Sequence, residues 1–79
     1  MAEKIRWGIL GTGMIAERFA TGLQSVSDAK LLAVGSRSQS SADAFADQFN
    51  IERRYDSYEV VVQDADVDRE KITPLLSNL

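Results

Sequence analysis

Several residue types that carry common chemistry are missing from this chain of 79 residues. Cysteine is absent, which excludes disulfide scaffolds, thiolate zinc sites and cysteine nucleophiles. Histidine is absent too, which excludes Ser-His-Asp catalysis and imidazole metal ligands and removes the commonest general base near neutral pH. We therefore predict no catalytic residue and no metal site in this chain.

Long apolar runs and an excess of positive charge are also lacking. No run approaches the roughly 18 residues of a membrane span, and the segment from Met1 to Trp7 has no signal-peptide core. Nine basic against twelve acidic residues give a net charge of −3, which argues against nucleic acid because binding phosphates requires a basic face. We expect a soluble, cytoplasmic protein with no membrane or nucleic-acid partner.

The first third of the chain predicts a strand, a turn and a helix. Residues 5–10 form an apolar run with the length of a buried strand. From Met14 the period changes, because Ile15, Phe19 and Leu23 recur every four residues, with Ala16 and Ala20 beside them, along one face of an amphipathic helix. We expect these three side chains to face inward.

The middle of the chain repeats this order. Residues 31–34 predict a second buried strand, and a polar loop follows it. Ser40 or Ser41 is expected to cap the next helix, with Asp43 near its positive end. The residues expected to face inward on this helix are Ala42, Phe45, Ala46 and Phe49.

The pattern weakens toward the end of the chain. Residues 51–55 predict at best a short third strand. Asp56 or Ser57 could cap a third helix over residues 58–63, although the three consecutive valines there favour strand. Alternating strands and helices predict an α/β fold with a parallel sheet and right-handed crossovers.

The turn after the first strand matches the G-x-G-x-x-A fingerprint of dinucleotide-binding proteins. It consists of Gly11, Thr12, Gly13, Met14, Ile15 and Ala16. The fingerprint has its required context, because it follows a predicted strand and opens a predicted helix. These residues predict a dinucleotide site and half of a Rossmann doubly wound sheet (β-α-β-α-β-α), with the C-terminal tail unassigned.

Each fingerprint position has a physical role. Gly11 would make the tight turn, Gly13 would let the pyrophosphate approach the backbone, and small Ala16 would let the helix pack closely on the strand. The free amides of Met14 and Ile15 would meet the phosphates at the positive end of the helix dipole. The alternative is a glycine-rich turn that binds nothing.

The end of the second strand bears on the choice of dinucleotide. Proteins that bind NAD usually place an acidic residue there, which bonds the ribose 2′-hydroxyl, whereas an arginine accommodates the 2′-phosphate of NADP. This chain has Ser36, Arg37 and Ser38 and no acid before Asp43. We therefore expect NADP(H) in preference to NAD(H), although a solvated loop is the alternative interpretation.

Together, residues 5–16, 33–38, 42–49 and 55–59 resemble the N-terminal cofactor domain of the glucose–fructose oxidoreductase/inositol dehydrogenase (Gfo/Idh/MocA) family. Within this family, the sequence resembles the NADP-linked members of the dihydrodiol dehydrogenase type. The resemblance covers about residues 4–68. It implies a Rossmann fold and NADP(H)-linked oxidation or reduction of sugars, polyols or related carbonyls.

The resemblance fails beyond residue 68. The family continues with an apolar strand, a Thr-Pro turn and, later, a catalytic lysine in a Glu-Lys-Pro motif. Here residues 69–71 are charged, residues 72–74 resemble only the turn, and Lys71 is expected to be solvated. We therefore interpret residues 1–68 as a partial dinucleotide-binding domain that lacks catalysis and residues 69–79 as a divergent tail.

An incomplete sheet is expected to associate. With the sheet ending after three strands, the first strand has an unpaired edge, which is a template for a second chain. We expect a homodimer or a domain-swapped dimer. A tail strand beside the first strand would close this edge and allow a monomer. A fragment that binds no dinucleotide and only self-associates is the alternative function.

The spacing of the C-terminal acidic residues partly matches a calcium-binding loop. Asp64, Asp66 and Asp68 have the 1-3-5 spacing of a calcium loop. Arg69 stands where the loop requires glycine, and Leu75 where it requires glutamate. We expect these aspartates to serve as solvated or structural residues.

Overall fold

The computed structural model describes residues 4–68 and 71–74. Four parallel strands form one sheet in the order β3-β2-β1-β4. The strands are β1 (Ile5–Leu10), β2 (Ala29–Gly35), β3 (Arg53–Tyr55) and β4 (Ile72–Pro74), and the helices are α1 (Met14–Leu23), α2 (Gln39–Phe49) and α3 (Tyr58–Gln63). The predicted α/β fold with a parallel sheet is confirmed.

Apolar residues cover both faces of the sheet. Because side chains alternate along a strand, Ile9 and Leu10 point to opposite faces of β1 and belong to different clusters. The cluster around Ile9 contains Ala16, Ala20, Val34, Phe45, Ala46 and Ile51. The cluster around Leu10 contains Leu32, Ala33, Val61 and Val67. Helices α1 and α2 therefore pack on one face, and α3 packs on the other.

The buried face of α1 differs from the prediction at one residue. Leu23 is buried and Phe19 packs against the core, as expected. Ile15, in contrast, is 59% exposed. Ala16 and Ala20 point directly at the sheet, and Ile15 lies about 100° around the helix from Ala16. The expectation that Ile15 faces inward was therefore wrong.

Helix α2 begins earlier than the sequence predicts. Its N-cap is Ser38, whose hydroxyl accepts a hydrogen bond from the Ser41 amide at 3.4 Å. The prediction of Ser40 or Ser41 as the cap was wrong, because Ser38 already has the extended backbone of a cap directly after β2. Asp43 consequently lies beyond the first turn, where it accepts a hydrogen bond from the Gln39 side chain at 3.0 Å.

The other helix expectations are confirmed. Ala42, Phe45 and Ala46 are buried on α2, and Phe49 packs against them. Ser57 caps α3, where its hydroxyl accepts a hydrogen bond from the Glu59 amide at 3.2 Å. The three consecutive valines are helical there because Val61 is fully buried against the sheet, so packing outweighs their preference for strands.

Residues 72–74, which the sequence left unassigned apart from their resemblance to a Thr-Pro turn, form a fourth strand. Ile72, Thr73 and Pro74 pair in parallel with Gly8, Ile9 and Leu10. This is the tail strand beside β1 that the sequence left open, so the expectation that β1 has an unpaired edge was wrong. Arg69 and Glu70, which belong to the charged stretch, and residues 75–79 lie outside the described residues.

Asp68 extends the pairing along the edge of β1 toward the start of that strand. The Arg6 amide donates a hydrogen bond to Oδ2 of Asp68 at 2.9 Å, and the Asp68 amide donates one to the Arg6 carbonyl at 3.0 Å. The edge of β1 is therefore paired from Arg6 to Leu10.

Among residues 4–68 and 71–74, no helix has the length and apolar character required to cross a bilayer.

Candidate dinucleotide site

The turn after β1 is held in a conformation that requires glycine. Gly11 has a φ of 118°, which side chains rarely permit. Its amide donates a hydrogen bond to the Gly35 carbonyl at 2.8 Å. Because Gly35 ends β2, this bond ties the fingerprint turn to the strand that leads into the Arg37 loop.

Gly13 leaves open space at the start of α1. It is the N-cap of the helix, and a Cβ built on it would meet no atom within 4 Å. Met14 and Ile15 follow it and are 69% and 59% exposed. The first amides of an α-helix lack partners within the helix, and its N-terminus carries a partial positive charge. The turn can thus receive a phosphate group without moving a side chain.

Ala16 fixes the depth of this turn. It is fully buried in the cluster that contains Ile9 of β1 and Val34 of β2. A methyl group is small enough for α1 to lie close to both strands. The amides that precede Ala16 are therefore held at the carboxyl end of β1, which is where open α/β sheets bind ligands.

The second part of the site is the loop from Ser36 to Ser38. Ser36 is only 7% exposed, its amide donates to the Tyr55 carbonyl at 3.0 Å, and its hydroxyl accepts from the Ser38 amide at 3.4 Å. Arg37 is exposed between the two serines and forms no ion pair within residues 4–68 and 71–74. The loop thus presents a guanidinium group on a hydrogen-bonded backbone.

A cavity of about 200 Å³ adjoins the fingerprint turn. It lies between α1 and α2 and is lined by Thr12, Glu17, Ser41, Ala44, Phe45 and Gln48. Thr12 belongs to the fingerprint, and Ser41 is in the first turn of α2. Sequence reasoning did not identify Glu17 as part of this region, because its position on α1 indicates only an exposed polar face.

The fit of a dinucleotide rests on these observations together. The glycine turn is open, Arg37 is exposed and can contact a phosphate, and the hydrogen bond from Gly11 to Gly35 ties the turn to the strand that leads into the Arg37 loop. A bound dinucleotide would supply hydride transfer at its nicotinamide, and this chain would supply binding and orientation.

A hydrogen-bonded charge network joins β3 to the segment after α3, and no motif in the sequence predicts it. Nη1 of Arg53 is 2.8 Å from Oδ1 of Asp64, and Nη2 of Arg53 is 2.8 Å from Oδ2 of Asp66. The Tyr55 hydroxyl donates to Oδ2 of Asp64 at 2.8 Å. This network fixes the segment after α3, which carries Asp68 to β1.

The network changes the ionisation of its members. Burial raises the pKa of Asp64, but the hydrogen bonds from Arg53, the Asp66 amide and Tyr55 outweigh burial, so the net pKa is lowered. Burial and the neighbouring Asp64 carboxylate together raise the pKa of Tyr55. Hydrogen bonds to Asp64 and Asp66 raise the pKa of Arg53.

Three other residues with polar or aromatic side chains lie away from the site. Trp7 packs against Phe19, with ring centroids 5.4 Å apart. Lys71 immediately precedes β4, and its Nζ lies 5.3 Å from the centre of the Trp7 ring. Asp68, the last residue of the calcium-like spacing, bonds the Arg6 amide. Within the described residues, no cluster of acidic side chains could hold a metal ion.

The model of one oxidoreductase family, described as having an NAD-binding Rossmann fold, matches residues 5–72. The chain belongs to the Gfo/Idh/MocA family. The predicted resemblance is confirmed, and the match reaches β4. Within the family, a trans-1,2-dihydrobenzene-1,2-diol dehydrogenase of Mus musculus is 41% identical over 66 residues, and the human enzyme of that name is 36% identical.

Solved structures of Gfo/Idh/MocA-type oxidoreductases are similar to the fold. A 3-ketoreductase from Actinomadura kijaniata, solved with TDP-benzene and NADP, has a TM-score of 0.85 at 27% identity. A scyllo-inositol dehydrogenase from Lactobacillus casei, solved with NAD(H) and scyllo-inositol, has a TM-score of 0.79 at 25% identity. The chain is covered to 94% and 95%, respectively, and these proteins to 23% and 22%.

The chain spans about a fifth of the length of its curated relatives. The mouse enzyme aligns with 81% of this chain, but only 20% of that enzyme is covered. What matches is therefore the NAD(P)-binding Rossmann part of an oxidoreductase. The structural neighbours hold NADP in one case and NAD(H) in the other.

Proposed function

We propose that this chain is the NADP(H)-binding part of a Gfo/Idh/MocA oxidoreductase. One observation carries the preference for NADP(H). Arg37 is exposed directly after β2, between Ser36 and Ser38, and the acidic residue that NAD-binding proteins usually place there is absent. A guanidinium group binds a phosphate through two parallel hydrogen bonds, and the serine hydroxyls can add further donors. NAD(H) is the weaker ligand.

Isothermal titration with NADP+ and 2′,5′-ADP tests the binding. We expect both ligands to bind the wild-type chain and Gly13→Val to abolish the signal, because a branched side chain would fill the space left for the pyrophosphate. Gly22→Val is the matched control, since a Cβ at Gly22 also meets no atom within 4 Å but lies in the last turn of α1. Equal binding by both variants would contradict the proposal.

We further propose that the complete oxidoreductase acts on sugars, polyols or related carbonyls and that this chain alone does not catalyse. The scyllo-inositol dehydrogenase and the 3-ketoreductase support this substrate class by their names. The chain has no histidine, and Lys71 lies against Trp7 instead of at the carboxyl ends of the strands. Following NADPH absorbance with inositols, ketosugars and dihydrodiols should show no turnover. Turnover would contradict the absence of catalysis.

We also propose a homodimer, which would form at the outer edge of β4, because β4 covers the edge of β1. In the described residues, β4 pairs only with β1, so its outer edge is available to a second chain. Light scattering at tens of micromolar should give twice the monomer mass, and a monomer at that concentration would contradict the proposed dimer.

We also propose a cytoplasmic location, which the absence of cysteine supports. Cell fractionation tests it, and recovery from a membrane or secreted fraction would contradict it.

A further inference from the structure

Helix α1 begins without a side chain that caps it. Its N-cap is Gly13, which makes no side-chain hydrogen bond. The first backbone hydrogen bond of the helix runs from the Glu17 amide to the Gly13 carbonyl at 3.0 Å. The amides of Met14, Ile15 and Ala16 therefore have no partner within the helix. This end of α1 keeps its partial positive charge for an anion.

The carboxylate of Glu17 belongs to the same end of the helix. A helical side chain leans toward the N-terminus and covers the turn before its own residue, which for Glu17 is the turn that begins at Gly13. Glu17 also lines the same cavity as Thr12 of the fingerprint, where it is the only charged residue among the six described ones. Within residues 4–68 and 71–74, its carboxylate takes part in no ion pair. A negative charge without a counter-ion thus adjoins the turn expected to bind the pyrophosphate.

We propose that Glu17 lowers the affinity of this site for NAD+ and NADP+ alike, an inference that rests on the proposed dinucleotide binding. A pyrophosphate at Gly13 brings negative charge to the end of α1 that the Glu17 carboxylate already faces. Like charges repel, and surrounding water weakens this repulsion without removing it. Because the pyrophosphate is common to both cofactors, Glu17 weakens the binding of each by the same factor.

The same carboxylate stabilises the chain when no ligand is bound. A negative charge in the first turn of a helix interacts favourably with the helix dipole, and Glu17 is the acidic residue in the first turn of α1. A bound pyrophosphate replaces this interaction and makes the carboxylate unfavourable. Glu17 therefore trades cofactor affinity for the stability of the empty α1, whereas Arg37 bears on the choice between NADP(H) and NAD(H).

Isothermal titration of Glu17→Gln with NAD+ and NADP+ tests this inference. Glutamine keeps the length and helix propensity of glutamate but removes its charge. At about 0.05 M salt, we expect both cofactors to bind roughly two- to fivefold more tightly, with their affinity ratio unchanged. At about 0.5 M salt the gain should nearly disappear, because salt screens the exposed carboxylate. Without ligand, the variant should unfold at a lower temperature than the wild type.

The matched control is Asp28→Asn. It also removes one exposed negative charge, but Asp28 immediately precedes β2 and lies at the opposite end of that strand from the Arg37 loop. Both affinities should stay at their wild-type values at either salt concentration. This control separates local repulsion at α1 from the net charge of the chain. Circular dichroism verifies that each variant is folded.

Each outcome of the titration decides between the two proposals. If Glu17→Gln binds both cofactors no more tightly than the wild type at low salt, the role of Glu17 is overturned while dinucleotide binding stands. A gain confined to one cofactor also overturns it, because Glu17 would then act at the 2′-position and not at the pyrophosphate. If neither the folded wild type nor the variant binds a dinucleotide, the proposed function fails and the inference fails with it.

Discussion

Arg6 and Asp68 are joined by two hydrogen bonds, one from each backbone amide, although 62 residues separate them in the sequence. Their pairing attaches the segment after α3 to β1 just before β4 begins. The carboxylate of Asp68 thereby takes the place of the carbonyl oxygen that a neighbouring strand would offer to the Arg6 amide. It satisfies an amide at the edge of β1 that β4 is too short to reach.

Asp68→Ala should lower the free energy of unfolding by about 1–2 kcal/mol, because the Arg6 amide loses its acceptor. Asp68→Asn keeps an acceptor oxygen and should cost less. Urea denaturation followed by circular dichroism measures both variants. Equal losses would show that charge, and not hydrogen bonding, accounts for the effect.

Gly35→Ala should destabilise the fold by about 1–3 kcal/mol or more. A Cβ at Gly35 would lie 2.6 Å from Cγ2 of Val61 and 2.9 Å from the Ser57 carbonyl oxygen, so α3 would have to move. Gly22→Ala is the control, because its Cβ meets no atom within 4 Å and alanine favours helix by about 1 kcal/mol. The midpoint temperature of thermal unfolding should fall for Gly35→Ala and rise for Gly22→Ala. A higher midpoint for Gly35→Ala would contradict the packing of α3.

Asp64→Ala should destabilise the chain by about 1–3 kcal/mol, because the half-buried Tyr55 hydroxyl and Arg53 lose their shared partner. Asp66→Ala removes the half-exposed carboxylate on the same arginine and should cost less than about 1 kcal/mol. Urea denaturation at neutral pH compares the two. A larger loss for Asp66→Ala would contradict the order of burial in this network.

Acidification should remove the contribution of Asp64. Its pKa in the folded chain is lowered from an ordinary value near 3.8, so the folded state favours the charged form. The stabilisation is therefore fully present above about pH 5, where the carboxyl is charged in the unfolded chain too, and it is lost as the pH falls through the lower folded pKa. The difference in unfolding free energy between wild type and Asp64→Asn should shrink between pH 5 and pH 2. A difference that does not change over this range would contradict the lowered pKa.

Arg37→Glu should weaken NADPH binding by at least tenfold more than NADH binding, because the variant opposes the 2′-phosphate with a negative charge. Arg18→Glu makes the same change of charge at another exposed position, on α1, and should affect the two cofactors equally. Fluorescence titration of each reduced cofactor measures both variants. Equal losses with Arg37→Glu would refute the assignment of NADP(H).

Local sequence patterns were sufficient to predict those strands, helices and turns that a short stretch of sequence determines by itself. The apolar runs of β1 and β2 and the period of α2 predicted those elements, because burial requires side chains to recur with the period of the backbone. The fingerprint predicted the turn at Gly11, whose positive φ only glycine adopts readily. The family could be named from these same residues.

Only the tertiary structure decided the contacts between distant segments. Residues 72–74 resemble a turn when considered alone, yet they form a strand because β1 offers them hydrogen-bond partners. Ile15 fits the helical period but is exposed, since Ala16 and Ala20 allow α1 to approach the sheet more closely along another face. The Arg53 network and the cavity between α1 and α2 depend on the crossovers of the sheet. No spacing along the chain encodes such distances, because they arise when the helices pack.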